Sequence, residues 1–467
     1  SSEAQLAVPR GMVAQCSKHS GRVPFAWFLV LTGSVLACAG ARSFRGVRTH
    51  QRGHLQLEWP SNVKATAALL GVRLPRDALL QTHVGVSPAL EKWFPTLDEK
   101  AKGLSLGSWK RGECSAVARS IISAGPVLSE QLPPVHTGAF LSHWEHKGNV
   151  ELAMRKLRLG MLSFLATQDL ARAKLHVWTD TDVRRNGSIW ARALRSISSR
   201  PDYNHSIVFH TFNAEKEFRK VTHNSATLLQ GVYDKDTELA AKSDLQRAII
   251  LYNYGGVWLD TDVLLIQDVS PLMGADWAYL GQTGLINNAA LSVSEPRSLF
   301  ATSYLMALVS QRVSPDPDKT YFRYGAIILS DLFSEDWMRH TFHVLPSCFF
   351  DGRWSGEGTA PSWDTFFDKP VGNVLQQLAY LYPKNGNQIA FGYHWHGHWE
   401  APVSNRSTAQ AMERIYQWLL HLDGTGDHID THAKQGLLLQ LRAHIGSWAE
   451  GQQSRVEPGW YQQFLKS

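Results

Sequence analysis

Over residues 152–170 apolar positions recur at the three-to-four spacing of a helix with one buried face, and Lys174-Leu-His-Val-Trp178 then reads as a strand. A second strand is predicted at Ser206-Ile-Val-Phe-His-Thr. The helical period returns over Leu239–Tyr254, with Leu239, Leu245, Ile249 and Ile250 apolar and Asp244 and Arg247 polar. Two glycines release the chain into a short apolar strand that ends at Asp260. Strand, helix and strand in alternation predict an α/β fold with a mostly parallel sheet, whose ligands bind beyond the carboxyl ends of the strands. Further strands are predicted at 276–281, 289–293, 325–330 and 342–345, an aromatic extended stretch at 388–399, and C-terminal helices at 412–422 and 434–448. Residues 50–133 mix short apolar runs with Pro and Gly and show no clear period, as a stem or accessory region would; Pro133-Pro134 marks its end.

Composition changes this picture little. Hydrophobic residues make up 44% of the 467, with 17 tryptophans, which is a globular chain with a large core. The net charge of +6 suggests a polyanion partner until it is located. Seven Arg and Lys fall in residues 1–60 beside Glu3 and Glu58, and the other 407 residues carry 40 basic against 39 acidic side chains. The body is nearly neutral, so nucleic acid is excluded as a partner.

Residues 23–41 are uncharged and mostly apolar, at the lower limit of the ~20 needed to span a bilayer. The stretch reads as a membrane anchor, or as a signal peptide cleaved after Ala37-Cys38-Ala39 or Ala39-Gly40-Ala41. Lys18 and Arg22 precede it and Arg42, Arg45 and Arg48 follow, which leaves orientation open. Sequons at Asn186, Asn204 and Asn405 fit passage through a secretory lumen. Cys16 and Cys38 lie in the N-terminal segment, leaving Cys114 and Cys348 in the body as either one disulfide or two buried thiols.

The candidate chemistry is concentrated in Tyr254-Gly-Gly-Val-Trp-Leu-Asp260-Thr-Asp262. On an extended segment Asp260 and Asp262 face the same way. Adjacent carboxylates repel and are costly to desolvate unless a cation neutralises them. Oxygen ligands at a short, partly open site suit Mn²⁺ or Mg²⁺, which shares its coordination sphere with substrate phosphates, so a nucleoside diphosphate is the natural third party. A bare Asp-x-Asp is an ordinary solvated turn; the glycines and apolar strand set this one apart. The same letters recur at Asp180-Thr-Asp182, but there Arg184, Arg185 and the Asn186 sequon follow at once, marking an exposed and already neutralised loop.

Leu239-Ala-Ala-Lys-Ser-Asp-Leu-Gln-Arg247, followed by Leu251-Tyr-Asn-Tyr-Gly-Gly-Val-Trp-Leu-Asp-Thr-Asp262, resembles the sugar-binding region of glycosyltransferase family 32. The likeness is strongest over 239–300 and looser over 134–400. It implies a GT-A type fold with one nucleotide-binding domain over 134–410, after an anchor or signal region at 1–49 and a stem at 50–133, and before a helical extension at 411–467. It implies a metal-dependent transferase that moves a hexose or N-acetylhexosamine from a nucleotide sugar, a UDP-sugar ahead of GDP-mannose, to a glycan or glycolipid with retention. The location it implies is a Golgi or other secretory-pathway membrane with a lumenal body, or secretion if the N-terminal segment is cleaved.

By the same resemblance Asp260 and Asp262 bind Mn²⁺ and the donor, with Asp244 as a further catalytic carboxylate. Asp244 and Arg247, one helical turn apart, contact donor sugar and phosphate; Tyr254, Gly255 and Gly256 belong to the donor motif; and Asn287-Asn288 forms the sugar pocket. Retention needs either a front-face ion pair or a covalent glycosyl-enzyme, for which Asp244 is the nearest recognisable carboxylate. Gly392-Tyr-His-Trp-His-Gly-His-Trp399 is similar to the family's closing His/Trp motif. On a strand His394, His396 and His398 share one face and Trp395 and Trp399 the other. His394 or His396 completes the metal sphere, and Trp395 or Trp399 covers the nucleotide. Arg323-Tyr-Gly-Ala326 replaces the family's Thr-Gly-Pro, and His398 stands where Ser is common.

Two other readings compete. In a haloacid dehalogenase-type phosphatase Asp260 would be the nucleophile, but no convincing later acidic pair follows. A catalytically silent sugar-binding relative would not need both carboxylates. A calcium loop fails because Leu265 occupies the position that requires Gly.

Overall fold

The computed structural model describes residues 86–103, 112–125, 131–183, 205–221, 226–236, 238–281, 284–313, 325–335, 338–351, 366–368, 391–405 and 407–422, with short pieces at 54–56, 64–65, 67–68, 72, 74, 77–79 and 109. All of them belong to one compact unit, Arg48–Ser467. The apolar stretch at 23–41, Cys16, Cys38, Arg184, Arg185, Asn186, Asn204, Arg323, Tyr324 and the helix predicted at 434–448 lie outside the described residues. No helix among the described residues is long and apolar enough to cross a membrane.

The strands are β1 (His54–Gln56), β2 (Asp77–Leu79), β3 (Val135–Ala139), β4 (Leu175–Thr179), β5 (Ile207–Thr211), β6 (Gly256–Leu259), β7 (Val263–Leu265), β8 (Asp276–Leu280), β9 (Ile286–Val293), β10 (Phe342–Leu345) and β11 (Gly392–His394). The helices are α1 (Pro88–Ala101), α2 (Glu113–Ser123), α3 (Leu141–Lys147), α4 (Val150–Thr167), α5 (Ala214–Val221), α6 (Ala226–Lys235), α7 (Leu239–Tyr254), α8 (Leu299–Val313), α9 (Ala326–Ser334) and α10 (Thr408–Leu422).

Seven strands form one sheet in the order β10-β8-β9-β6-β3-β4-β5. It is a mixed α/β sheet, mostly parallel; β9 alone runs against its neighbours β8 and β6. Strand alternation divides the core between its faces. Val257 and Leu259 of β6 pack with α4, α10 and β11, while Trp258 turns to the other face with Leu245 and Ile249 of α7 and with α8. The sheet therefore presents Asp260 at the carboxyl end of β6, beside the ends of β3 and β4.

Two predicted elements need correction. Residues 325–330 are not a strand but the start of α9. Four apolar residues fit either period, and the run continues through Leu332 and Phe333 while Ser330 and Ser334 return hydrogen bonds to carbonyls four residues back, as a helix permits. Of the extended stretch predicted at 388–399, the described residues 391–399 keep strand geometry in β11 and then leave it, because the chain turns at His396 and Gly397 and His396 takes a left-handed φ of 55°. Residues 50–133 also hold α1 and α2. Pro88 opens α1 and Pro95 interrupts its pattern, and the helix packs on the edge strand β10, where Phe94 stacks on His343 with ring centroids 3.5 Å apart. Cys114 of α2 is joined to Cys348 by a disulfide, so the first of the two alternatives holds.

The helix-to-strand junction depends on its glycines. Gly255 (φ 64°) ends α7, and Gly256 (φ 89°) lies so close to β3 that a Cβ there would stand 2.2 Å from the Pro134 carbonyl oxygen. That oxygen accepts from Val257 N (2.9 Å), the bond that starts the β6/β3 pairing. Beneath the junction, His136 bridges Trp178 Nε1 (3.2 Å) and the Gly255 carbonyl (3.1 Å). An indole N–H only donates and a carbonyl only accepts, so the ring carries its proton on Nε2 and offers Nδ1 as acceptor.

Desolvation, then the neighbouring His176, push His136 down to about 3. With its folded pKa below the unfolded value, the unfolded chain binds more protons as pH falls, so this stability is present above ~6.5 and lost on acidification. At pH 5.5 the loss from His136 is expected to be on the order of 1 kcal/mol. His136→Gln, which donates and accepts without titrating, should lack that component in urea unfolding at pH 7.5 and 5.5. Identical pH dependence in the two proteins would exclude the assignment.

Candidate active site

The carboxylate pair sits in a tight turn between β6 and β7, not on a strand as predicted: Val263 N donates to the Asp260 carbonyl at 2.9 Å, and Asp260 N to Ala289 O at 2.7 Å. Both side chains nevertheless reach the same cavity. It has a volume of about 400 Å³ and is walled by Asp244 and Arg247 of α7, Asn287 and Asn288 of β9, Gly325, and His394 and His396. A smaller cavity of about 270 Å³ meets it at Asp260 and Asp262 and is walled by Phe140, His143, Trp144 and Trp399.

Arg247 ties the donor side together. Its side chain is 2% exposed and its guanidinium meets Asp244 Oδ1 at 3.2 Å and Asp260 Oδ1 at 2.6 Å. This is a buried bridge between two elements, not the surface i,i+3 pair that spacing alone allows. Asp260 Oδ1 also accepts from Trp258 Nε1 (2.7 Å), and Asp244 Oδ1 from Asn288 Nδ2 (2.8 Å), whose amide also meets Tyr304 Oη at 3.2 Å. Desolvation lifts the Asp260 carboxyl to about 6, partly offset by Arg247 and reinforced by the charge of Asp262. Asp244 is raised by the same burial against the pull of Arg247 and Arg312. Gly325 leaves room for Asn288, since a Cβ there would lie 2.2 Å from Nδ2.

The closing side is built by β11, which pairs with β7 and so brings His394 to the carboxylate turn. His394 Nε2 lies 3.3 Å from Asp262 Oδ2 and Nδ1 lies 2.8 Å from Tyr279 Oη. Burial alone would raise Asp262, but the charge and hydrogen bond of His394 more than offset it and hold the carboxyl below its usual range. Burial likewise opposes charging of His394, yet Asp262 beside it raises the imidazole. The left-handed turn at His396 swings that ring to 3.9 Å from the His394 ring, where an extended strand would have kept the two apart. Lys156 of α4, wholly buried, donates its Nζ to the His398 carbonyl and lies 3.9 Å from the Phe367 ring. Burial pushes this amine down to about 7.

Several predicted donor contacts are placed elsewhere. Trp395 is wholly buried beside Phe366 and Phe367 and has no face for a nucleotide, whereas Trp399 borders the smaller cavity and packs on Trp144 at 5.7 Å. Tyr254 points its hydroxyl at Glu217 (2.9 Å) and Lys220, and Gly255 and Gly256 serve the backbone junction. At the first Asp-Thr-Asp, Asp180 accepts from Leu141 N at 2.7 Å and from the Ser142 hydroxyl, holding the start of α3. Tyr279, Tyr304, Lys156 and Asp351 carry no sequence signal for the site; tertiary pairing alone brings them in.

The donor set of Asp260, Asp262, His394 and His396, on one cavity wall with a depressed Asp262, fits a divalent cation with oxygen and nitrogen ligands. Ligand atoms of Asp351, His394 and His396 also lie within 4.8 Å of one another.

Residues 190–278, which include α7, the turn and β7, match the glycosyltransferase sugar-binding region containing DXD motif. The carboxylate turn lies within the matched residues, so this part of the chain is similar to the sugar-binding region of DXD glycosyltransferases. No curated protein matches the chain. Among solved structures it is similar to the galactosyltransferase LgtC in complex with donor and acceptor sugar analogs, with 14% identity, 62% of this chain and 95% of that one covered, and a TM-score of 0.33. It is also similar to the PaToxG glycosyltransferase, with 12% identity, 52% and 74% covered, and a TM-score of 0.31.

Proposed function

We propose that the protein is a GT-A type transferase that moves a hexose or N-acetylhexosamine from a nucleotide sugar to a glycan or glycolipid acceptor, with retention and with the help of Mn²⁺. The observation that carries this reading is the meeting of two cavities at the Asp260-Thr261-Asp262 turn. The smaller, with its Trp144 and Trp399 walls, suits a nucleobase; the larger, lined by amides and carboxylates, suits a hexose and acceptor. Asp262, Asp260, His394 and His396 would hold the cation, which would supply charge neutralisation to the departing diphosphate. Imidazole among the ligands favours Mn²⁺ over Mg²⁺.

Arg247 would fix Asp260 and Asp244 in place, and Asn287 and Asn288 would read sugar hydroxyls. Asp244 Oδ1 is already held by Asn288 and Arg247, which favours a front-face ion pair over attack by Asp244. A UDP-sugar is the favoured donor, with GDP-mannose the alternative. The Cys114–Cys348 disulfide supports a lumenal body in the secretory pathway, Golgi included, or a secreted one; Asn405 of the third sequon is exposed.

Incubation with UDP-galactose, UDP-N-acetylglucosamine, UDP-glucose and GDP-mannose should release nucleoside diphosphate from one donor in Mn²⁺ and fall to background in EDTA. Full turnover in EDTA would remove the metal role. No turnover of any donor would remove the transferase reading.

A further inference from the structure

Two imidazoles at one cation site raise the question of what holds their rings. A ligating histidine needs its second nitrogen bonded, or its tautomer and orientation drift. Tyr279 meets that need for His394 through Nδ1 (2.8 Å). For His396 the partner is Asp351, whose Oδ2 lies 2.6 Å from Nε2. We infer that Asp351 is a positioning residue of the cation site, acting through His396; this rests on the cation reading above and adds a residue to it.

Three observations converge. Asp351 is 3% exposed, and among the described residues that line the larger cavity His394, His396 and Asp262 are present while Asp351 is not, so it stands behind the ring. A carboxylate only accepts, so Nε2 carries the proton and Nδ1 is the ring nitrogen with a lone pair to offer. The backbone at His396 is left-handed at φ 55°, a conformation costing a non-glycine residue roughly 1 kcal/mol or more, so a contact must hold it there.

The carboxylate is itself well anchored. Asp351 N donates to Ser347 O (2.6 Å), the Phe349 and Phe350 carbonyls accept from Phe391 N (2.8 Å) and His394 N (2.9 Å), and the disulfide at Cys348 ties the segment to α2. One short, covalently braced turn therefore fixes both the strand bearing His394 and the carboxylate that aims His396.

The test is titration of the full chain with Mn²⁺ alone, without any nucleotide sugar, by calorimetry, with the metal-free melting temperature recorded for each variant. Asp351→Ala should weaken Mn²⁺ binding by roughly 10- to 100-fold, the range for such partners. Asp351→Asn, whose amide oxygen still accepts from Nε2–H, should lose only a few-fold. In a His396→Ala background Asp351→Ala should change the affinity by less than about two-fold, because its effect passes through the imidazole. Asp351→Ser carries the same comparison if the alanine variant does not fold.

Additive losses in the double variant, or a loss in Asn equal to that in Ala, would make Asp351 a direct ligand and overturn the inference. Unchanged Mn²⁺ affinity with a lowered melting temperature would leave it a purely structural residue. A wild-type chain that binds no Mn²⁺ would overturn the cation reading itself.

Discussion

Asp262→Asn is expected to lower nucleotide-sugar turnover on the order of 10³-fold, about 4 kcal/mol of barrier, and to abolish the rise in melting temperature that Mn²⁺ gives the wild type. The substitution is nearly isosteric. The Asp262 carbonyl would still accept from Trp395 N (3.0 Å), so the closing loop keeps its anchor. What changes is charge. Asp262 is the carboxylate whose pKa lies below its usual range, held there by His394, and it is therefore the site's dependable anion at neutral pH. Asp260 is the weaker candidate because burial lifts it to about 6 and one of its oxygens is committed to Arg247 and Trp258.

Replacing the Asp262 carboxylate by an amide removes a charged ligand and the anion that raises His394. His394's folded pKa is raised, so the stability it gains from Asp262 is present below ~6.5 and fades as pH rises through the folded value. The gap in melting temperature between the metal-free variant and the wild type should therefore narrow as pH rises. Retained turnover in the variant, or an undiminished Mn²⁺ shift, would place the essential carboxylate elsewhere.

What could be read in the sequence was local. Helix α7, its glycine exit and the strand leading to Asp260 follow from a 3.6-residue period, two residues tolerant of positive φ and an apolar run, all within a contiguous stretch. The antiparallel course of β9 against β8 follows from chain length, since residues 281–285 alone separate the two strands, far too few for a crossover. By contrast the burial of Arg247 depends on Asp260 approaching from the next strand, and no helical pattern encodes that. The spacing of His394, His396 and His398 pointed to a strand face, but pairing of β11 with β7 ends at His394, and the left-handed turn beyond it reorganises the cluster. Trp395 and Trp399 were equivalent by alternation until Phe366 and Phe367 covered one of them. Asp351 has no motif around it, and only the pairing of its segment with β11 brings it to His396.

Arg247→Met carries the largest expected effect on the fold. The side chain keeps its apolar length beside Trp258, but Asp244 and Asp260 lose the guanidinium that bridges them. Removing one member of a buried ion network leaves uncompensated charge and typically costs about 3–5 kcal/mol. Both carboxyls are already raised with Arg247 present, and without it they rise further. An acid whose folded pKa exceeds its unfolded value binds more protons when folded, so the variant should recover stability as pH falls and lose it as pH climbs. Urea unfolding without metal should thus show a deficit of about 3–5 kcal/mol at pH 7.5 that shrinks at pH 5.5. Arg247→Lys should recover only part of it, since one ammonium cannot replace two guanidinium nitrogens that meet different carboxylates. A deficit below about 1 kcal/mol, the size of a surface pair, or one that widens on acidification, would mean that Arg247 does not hold the two halves of the donor site together.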